Sequence, residues 1–307
     1  MTAAATSTRS ELVEVAEDVY AYTQLPGGWC VSNAGLVVGP DGVVVIDTLA
    51  TLNRARKLRE TVDGFGAGPR RTVVNTHHHG DHTFGNQVFG PAAEIIAHER
   101  AAEELASTGL ALTGLWPDVD WGDLQVPAPT LTFADRVALT VGRHRVELIH
   151  VGPAHTSNDI VAWLPEQRVL FTGDVVLSGC TPFTLMGSVA GSLTAIERLR
   201  ALEPATVVCG HGAVAGPEVF AENVAYLRWI QQIAAEGVAA GWSISRAARA
   251  AGPGEFGHLL DPERVVGNLH RAYAEVVGGP DAPPLDVGPV FAEMVAYNRG
   301  RLPTCLA

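Results

Sequence analysis

At 307 residues, with 47% apolar and 18% charged side chains, the chain is composed to bury a sizeable core, and disorder of its body is excluded. A formal net charge of −12 repels polyanions and anionic lipid, so neither nucleic acid nor a membrane is an expected partner. Cys30, Cys180, Cys209 and Cys305 lie far apart without CxxC spacing, which excludes a disulfide scaffold and a cysteine-based zinc knuckle and fits reduced thiols in cytoplasm.

Residues 1–9 are small and polar and are expected to be disordered. No basic region runs into an apolar one at the N-terminus, and no stretch of about 18 apolar residues occurs, so a soluble, unexported protein is expected. From Gly35 the sequence reads GLVVG-PDG-VVVIDT, two β-branched runs joined by a turn, which predicts a hairpin. Leu52, Ala55, Leu58 and Val62 recur at helical spacing, and TVVNT at 72–76 reads as a buried strand running into His77. The apolar segment from Ala101 to Pro129 follows, too rich in Leu, Trp and Pro for an idle solvated loop.

The second half repeats the order. Strands are predicted at 145–151, 159–164 and 168–174, a helix over Ser192–Leu202, and a strand, TVVCGH, that again delivers a histidine, His211. Such a duplication suggests two sheets packed face to face with helices outside. Beyond Gly216 the pattern turns helical, with Pro217 suited to a first turn and further helices predicted at 243–250, 261–277 and 289–298, placed to cover one mouth of a site. No domain boundary is visible, so 1–307 reads as a single domain.

The strongest chemical signal is THHHGDH at 76–82. His77 and His79, two apart at a strand end, can point the same way and share a metal ion. Gly80 is expected to permit a tight turn that sends Asp81 and His82 toward a second ion. His155, Asp174 and His211 each follow a predicted strand and offer one more ligand. The expected assignment gives one ion His77, His79 and His155, the other Asp81, His82 and His211, with Asp174 bridging. Imidazole and carboxylate ligands suit two Zn2+, and accommodate manganese or iron as well. Asp47 is expected to orient a ligand histidine from behind. His78 is expected to point away, and His98, His144, His150, His258 and His270 lack a partner pattern.

The HxHxDH run at 77–82 with His155, Asp174 and His211 resembles the metallo-β-lactamase superfamily over about residues 14–216, leaving a C-terminal helical extension over about 217–307. The resemblance implies an αββα sandwich, an α/β fold with a dinuclear site on one edge. PGGWCVSNAG at 26–35, NTHHHGDHTFGNQVF at 75–89, TGLALTGLWPDVDWGD at 108–123 and the closing VAYNRGRLPTCLA resemble the metallo-β-lactamase-fold cyclases of bacterial aromatic polyketide pathways. That narrower resemblance implies a poly-β-ketone substrate on an acyl carrier protein, aldol ring closure and dehydration, with thioester cleavage as a companion activity.

For such chemistry Asp81 and Asp174 are the catalytic candidates, with Asp81 or a metal-held hydroxide removing a methylene proton. A chain held bent needs a dry apolar wall. Candidates are Trp29, Leu110, Leu112, Leu115, Trp116, Trp121, Phe183, Leu185 and Met186, with Thr113, Ser178 and Thr181 for hydrogen bonds. Arg54, Arg56, Lys57, Arg59, Arg70 and Arg71 form the densest basic cluster, the candidate docking face for an acidic carrier protein. A homo-oligomer stays open. The competing reading is a thioester or lactone hydrolase of glyoxalase II or lactonase type, whose site would be open and polar.

Overall fold

The computed structural model describes residues 8–279 and 282–307. Its first sheet holds β1 (Arg9–Ala16), β2 (Val19–Leu25), β3 (Ala34–Gly39), β4 (Gly42–Ile46), β5 (Arg70–Val74), β6 (Glu94–His98) and β7 (Leu131–Phe133) in that order. β1 to β4 run antiparallel, and β4 to β7 pair in parallel. The crossovers carry α1 (Leu52–Gly64), the single turn α2 (Gly80–Thr83) and α3 (Glu99–Thr108). The second sheet is ordered β12 (Thr206–Val208), β11 (Val169–Phe171), β10 (Ile160–Leu164), β9 (His144–His150), β8 (Arg136–Val141), with α4 (Val189–Arg200) crossing from β11 to its parallel neighbour β12. α5 (Val219–Ala239), α6 (Ile244–Ala251), α7 (Arg264–Gly278) and α8 (Val287–Tyr297) complete the chain.

Two-residue alternation decides the layers. In β4, Val44 and Ile46 meet Leu148, Ile160, Ala162 and Phe171 between the sheets, while Val43 and Val45 face Leu58 and Val62 of α1. β10 and β11 are buried on both faces: Val161, Trp163 and Leu170 turn outward onto α4 and α5, joining Ile196, Leu199, Phe220 and Ile230. This is the αββα sandwich with added C-terminal helices.

Two local expectations need correction. Residues 1–7 lie outside the described residues, but Arg9 opens β1, paired with Leu25. α4 starts at Val189 rather than Ser192, because Ser188 Oγ accepts from Gly191 N at 2.9 Å and Glu275 accepts from the Val189 and Ala190 N–H groups. The apolar segment 101–129 is, as expected, no idle loop: α3 runs to Thr108, a 3-10 turn follows at Ala111–Leu115, and Trp116 and Trp121 are buried.

Candidate metal centre

β4 ends at Asp47, whose left-handed conformation (φ 62°) turns its carboxylate back toward the end of β5. There it accepts from Thr76 N at 2.8 Å and Thr76 Oγ1 at 2.7 Å, and it lies 2.8 Å from His82 Nδ1. Asp47 thus ties the histidine run to the sheet and leaves His82 Nε2 facing the site, the role expected of it. Gly80 has another use than expected. A Cβ there would stand 2.2 Å from the Phe84 ring, so the residue is small because the first turn of α2 lies against that ring.

The loops after β5, β9, β11 and β12 bring the predicted ligands together. Ring centroids of His77 lie 4.7 Å from His79, 4.3 Å from His82 and 4.8 Å from His155. Nitrogens and carboxylate oxygens lie within 4.8 Å of one another in three groups: His77, His79 and His155; Asp81, His82 and His211; and His77, His82 and Asp174. The first two are the trios expected from the sequence. Asp174 reaches both, with Oδ2 3.5 Å from His155 Nε2 and 3.2 Å from His211 Nε2, and Oδ1 3.2 Å from His82 Nε2.

The residues fit metal ions on their own chemistry. His77 Nε2 is buried without a hydrogen-bond partner, and His82 Nε2 and Asp174 Oδ1, although 3.2 Å apart, are not aligned as a hydrogen bond, an arrangement a fold sustains only if something else meets these atoms. The far ring nitrogens are engaged: His155 Nδ1 donates to the Phe183 carbonyl and His211 Nδ1 to that of Val31, which presents Nε2 of each toward the cluster. Charge divides the site in two. Burial, with the neighbouring imidazoles, holds His77 and His79 well below the ordinary histidine value, and burial holds His155 down to about 4. Burial also opposes charge on His82 and His211, but Asp174, with Asp47 and Asp81 beside His82 and Asp81 beside His211, overcomes it, raising His82 well up and His211 to about 9. Asp81 and Asp174 are held below the usual carboxylate range: burial works against this, and His82 and His211 outweigh it.

A cavity of about 330 Å3 opens on this cluster. The candidate ligands His79, Asp81, His155, Asp174 and His211 line its polar end; its walls are Trp29, Leu112, Leu115, Phe183 and Met186 with Arg264, Val287, Phe291 and Met294 from α7 and α8.

A family model described as metallo-beta-lactamase superfamily matches residues 27–211, more than half of the chain. The chain belongs to that superfamily. It is 31% identical over 147 residues to the 2,4-dinitroanisole O-demethylase subunit alpha of Nocardioides sp. (strain JS1661), a match covering 47% of this chain and 41% of the relative. It is 30% identical over 140 residues to the hydroxyacylglutathione hydrolase of Rhodospirillum rubrum, covering 45% and 47%. The matched stretch thus spans less than half the length of either curated relative. Among solved structures, a metallo-beta-lactamase from Pontibacter korlensis superposes with a TM-score of 0.60 at 21% identity, over 72% of this chain and 99% of its own. The DIM-1 metallo-beta-lactamase gives 0.57 at 18%, over 73% and 98%. These two likenesses are likenesses of fold.

Within this superfamily member the expected pocket wall is redistributed. Trp29, Leu112, Leu115, Phe183 and Met186 line the cavity, and seven other candidates do not. Leu110 is exposed, and Thr113 spends its hydroxyl on the Leu110 carbonyl. Trp116 packs behind Trp29 and Phe291 with its Nε1 on the Pro303 carbonyl, Trp121 packs on Phe84, and Leu185 is fully buried in the core. Ser178 and Thr181 belong to loop hydrogen bonding: Ser178 N donates to the His211 carbonyl and Thr181 Oγ1 to that of Leu260. Arg264, Phe291 and Met294 were missed. Val287, Phe291 and Met294 form a legible helical stripe, but nothing in a stripe says what it faces.

The basic cluster is divided: Arg56, Lys57 and Arg70 are exposed, while Arg54, Arg59 and Arg71 are partly buried. Arg54 binds Gln24 and the Leu306 carbonyl, Arg59 and Arg71 share Asp63, and Arg70 pairs with Glu94. His78, although it borders the cavity, turns its nitrogens to Asn158 and Glu104. His98 stacks on His150, and His258 and His270 pair with Glu222 and Glu293. Among the described residues no helix is long and apolar enough to cross a membrane.

Proposed function

We propose that the protein is a dinuclear-metal cyclase that closes a second or third ring of an aromatic polyketide by intramolecular aldol condensation and dehydration. The observation that supports this best is the aromatic-walled cavity seated directly on the ligand cluster, since ring closure needs a flexible chain bent in a dry pocket with one ketone nearest the carbanion. Two divalent ions, zinc in the first instance, held by His77, His79 and His155 and by Asp81, His82 and His211 with Asp174 between, would supply Lewis acidity toward carbonyl oxygens.

The chain's own residues supply position and proton handling. Trp29, Phe183 and Phe291 confine the substrate, and the apolar walls exclude water. Asp81, at the border of cavity and cluster, accepts a proton from the methylene between two carbonyls. The carbanion forms the new C–C bond to a ketone carbon, whose oxygen takes up the proton. Held below its ordinary range, the Asp81 carboxylate is by itself a weak base, so the methylene would owe most of its acidity to the Lewis acidity that the ions supply to the two flanking carbonyls. Loss of water from the resulting alcohol gives the conjugated ring. A polyketide tethered to an acyl carrier protein is the proposed form of the substrate, and the cell interior the proposed compartment.

The likeness to a hydroxyacylglutathione hydrolase supports a second reading, thioester hydrolysis at the same centre. Both are tested by incubating the zinc-loaded protein with an octaketide on its carrier protein, beside Asp81→Ala, with products read by mass spectrometry. A dehydrated multi-ring product that requires both metal and Asp81 is expected. Release of uncyclised acid would move the assignment to a thioesterase, and fast hydrolysis of a simple lactone with neither product would leave a general hydrolase.

A further inference from the structure

The cavity wall contains one assembly that neither metal binding nor core packing explains. Trp29 is half-buried beside the ligand residues, yet its ring is held from several sides. Its Nε1 donates to Glu263 Oε1 at 2.7 Å, and Glu263 is itself 4% exposed. The Arg264 guanidinium stands 4.1 Å from the ring centroid. Phe183 meets the ring near-perpendicularly at 5.1 Å, and Trp116 lies tilted at 5.4 Å.

Arg264 is 3% exposed, held by Asp261 at 3.1 Å and donating from Nη1 to the Thr181 carbonyl, while its Nε is buried without a partner. Placing an arginine so deep costs desolvation, which the nearly buried Asp261 carboxylate offsets in part. Its position is explained by what it touches: a cation against the indole makes that ring an electrostatically polarised, immobile plate. Glu263 and Arg264 begin α7, beyond the residues the family model matches.

We infer that Trp29 is the stacking platform for a planar conjugated ring of the substrate, and that Glu263 and Arg264 are the positioning residues that fix it. The ligand class is a flat, oxygen-bearing ring system small enough for the cavity of about 330 Å3. This deepens the cyclase reading, in which a first ring already formed would be gripped while the next one closes.

The test uses the zinc-loaded full chain and two carboxylates of the same carbon skeleton, 2-naphthoate and its saturated counterpart decahydro-2-naphthoate. Both offer the same anion to the metals and differ in planarity and π-surface. Calorimetry is expected to show tighter binding of 2-naphthoate, with a ratio on the order of ten-fold. Trp29→Leu should bring the ratio near one, and Trp29→Phe should keep most of it. Glu263→Gln and Arg264→Met should shrink it, with Arg264→Lys restoring part. A merely structural defect would weaken both ligands alike and leave the ratio standing. If Trp29→Leu fails to fold, 19F NMR of the 5-fluorotryptophan-labelled wild type replaces it: the Trp29 resonance, assigned from Trp29→Phe, must shift with 2-naphthoate and not with the saturated acid. A wild-type ratio near one, or a ratio untouched by Trp29→Leu, overturns the platform. Because the readout is binding, the two readings fail separately: no cyclised product with the ratio intact removes the cyclase and keeps the platform, and cyclised product with a ratio near one does the reverse.

Discussion

Asp47 does not line the cavity over the histidine cluster, yet it joins three groups at once: the Thr76 amide, the Thr76 hydroxyl and His82 Nδ1. Replacing one of its oxygens by NH2 keeps the shape and puts a donor against a donor. Asp47→Asn is therefore expected to weaken zinc binding by about 10- to 100-fold while the fold persists, measured by competition with a chromogenic chelator. Asp81→Ala removes both a ligand and the proposed proton acceptor. Turnover should fall by about 10²- to 10⁴-fold with partial loss of metal, read by product formation and metal analysis. The opposed histidine shifts also give the metal-free protein a stability optimum. His211, raised to about 9, contributes stability that is full below the ordinary imidazole value of 6.5 and is lost as pH rises through 9, and His82, raised well up by its carboxylates, adds a loss in the same direction. His155, lowered to about 4, contributes stability that is full above 6.5 and is lost as pH falls through 4, and His77 and His79, held well below the ordinary value, add a loss in the same direction. The melting temperature of chelator-treated protein should peak near pH 6.5 and decline on both sides; a monotonic profile would count against this charge division.

At the scale of elements, the ends of β5, β9, β11 and β12 carry the ligands because parallel and antiparallel neighbours finish at one edge. The loop after β12 shows how little room that leaves. A Cβ on Gly210 would stand 2.0 Å from Asp174 Oδ1 and 2.7 Å from the Gly173 carbonyl carbon, so only glycine lets this loop pass beneath the Asp174 carboxylate. Gly210→Ala is expected to displace Asp174 and cut metal occupancy to one ion or none, with the far-ultraviolet circular dichroism unchanged. Spacing in the chain made the elements readable: TVVNT before His77 and TVVCGH before His211 are buried strands that end in a ligand, and that pattern needs no neighbour to be seen. The start of α4 was less readable, since Glu275, which caps it, comes from a distant helix.

For the whole molecule, one hydrophobic cluster runs from Val161 and Leu170 of the second sheet through Phe183 to Ile230, Leu269, Phe291 and Met294 of the C-terminal helices. Ending the chain at Gly216 would strip that face and one wall of the cavity, and the shortened protein is expected to be insoluble, checked by expression and zinc content beside the full chain. The sequence by itself determined two sheets packed face to face with helices outside, and it supplied the seven ligand candidates, because strand period, helix period and the HxHxDH spacing are local properties carried by neighbouring residues. The wall of the cavity was decided only by tertiary structure. Trp29 and Arg264 are 4.1 Å apart in space but far apart in sequence. Trp116 and Phe183 read alike as large apolar residues, and only packing decides that one stands behind the wall and the other forms it. The same holds for the arginines of α1: their charge is visible in the chain, but whether an Asp63 or a Leu306 carbonyl consumes it depends on which segments the fold brings alongside.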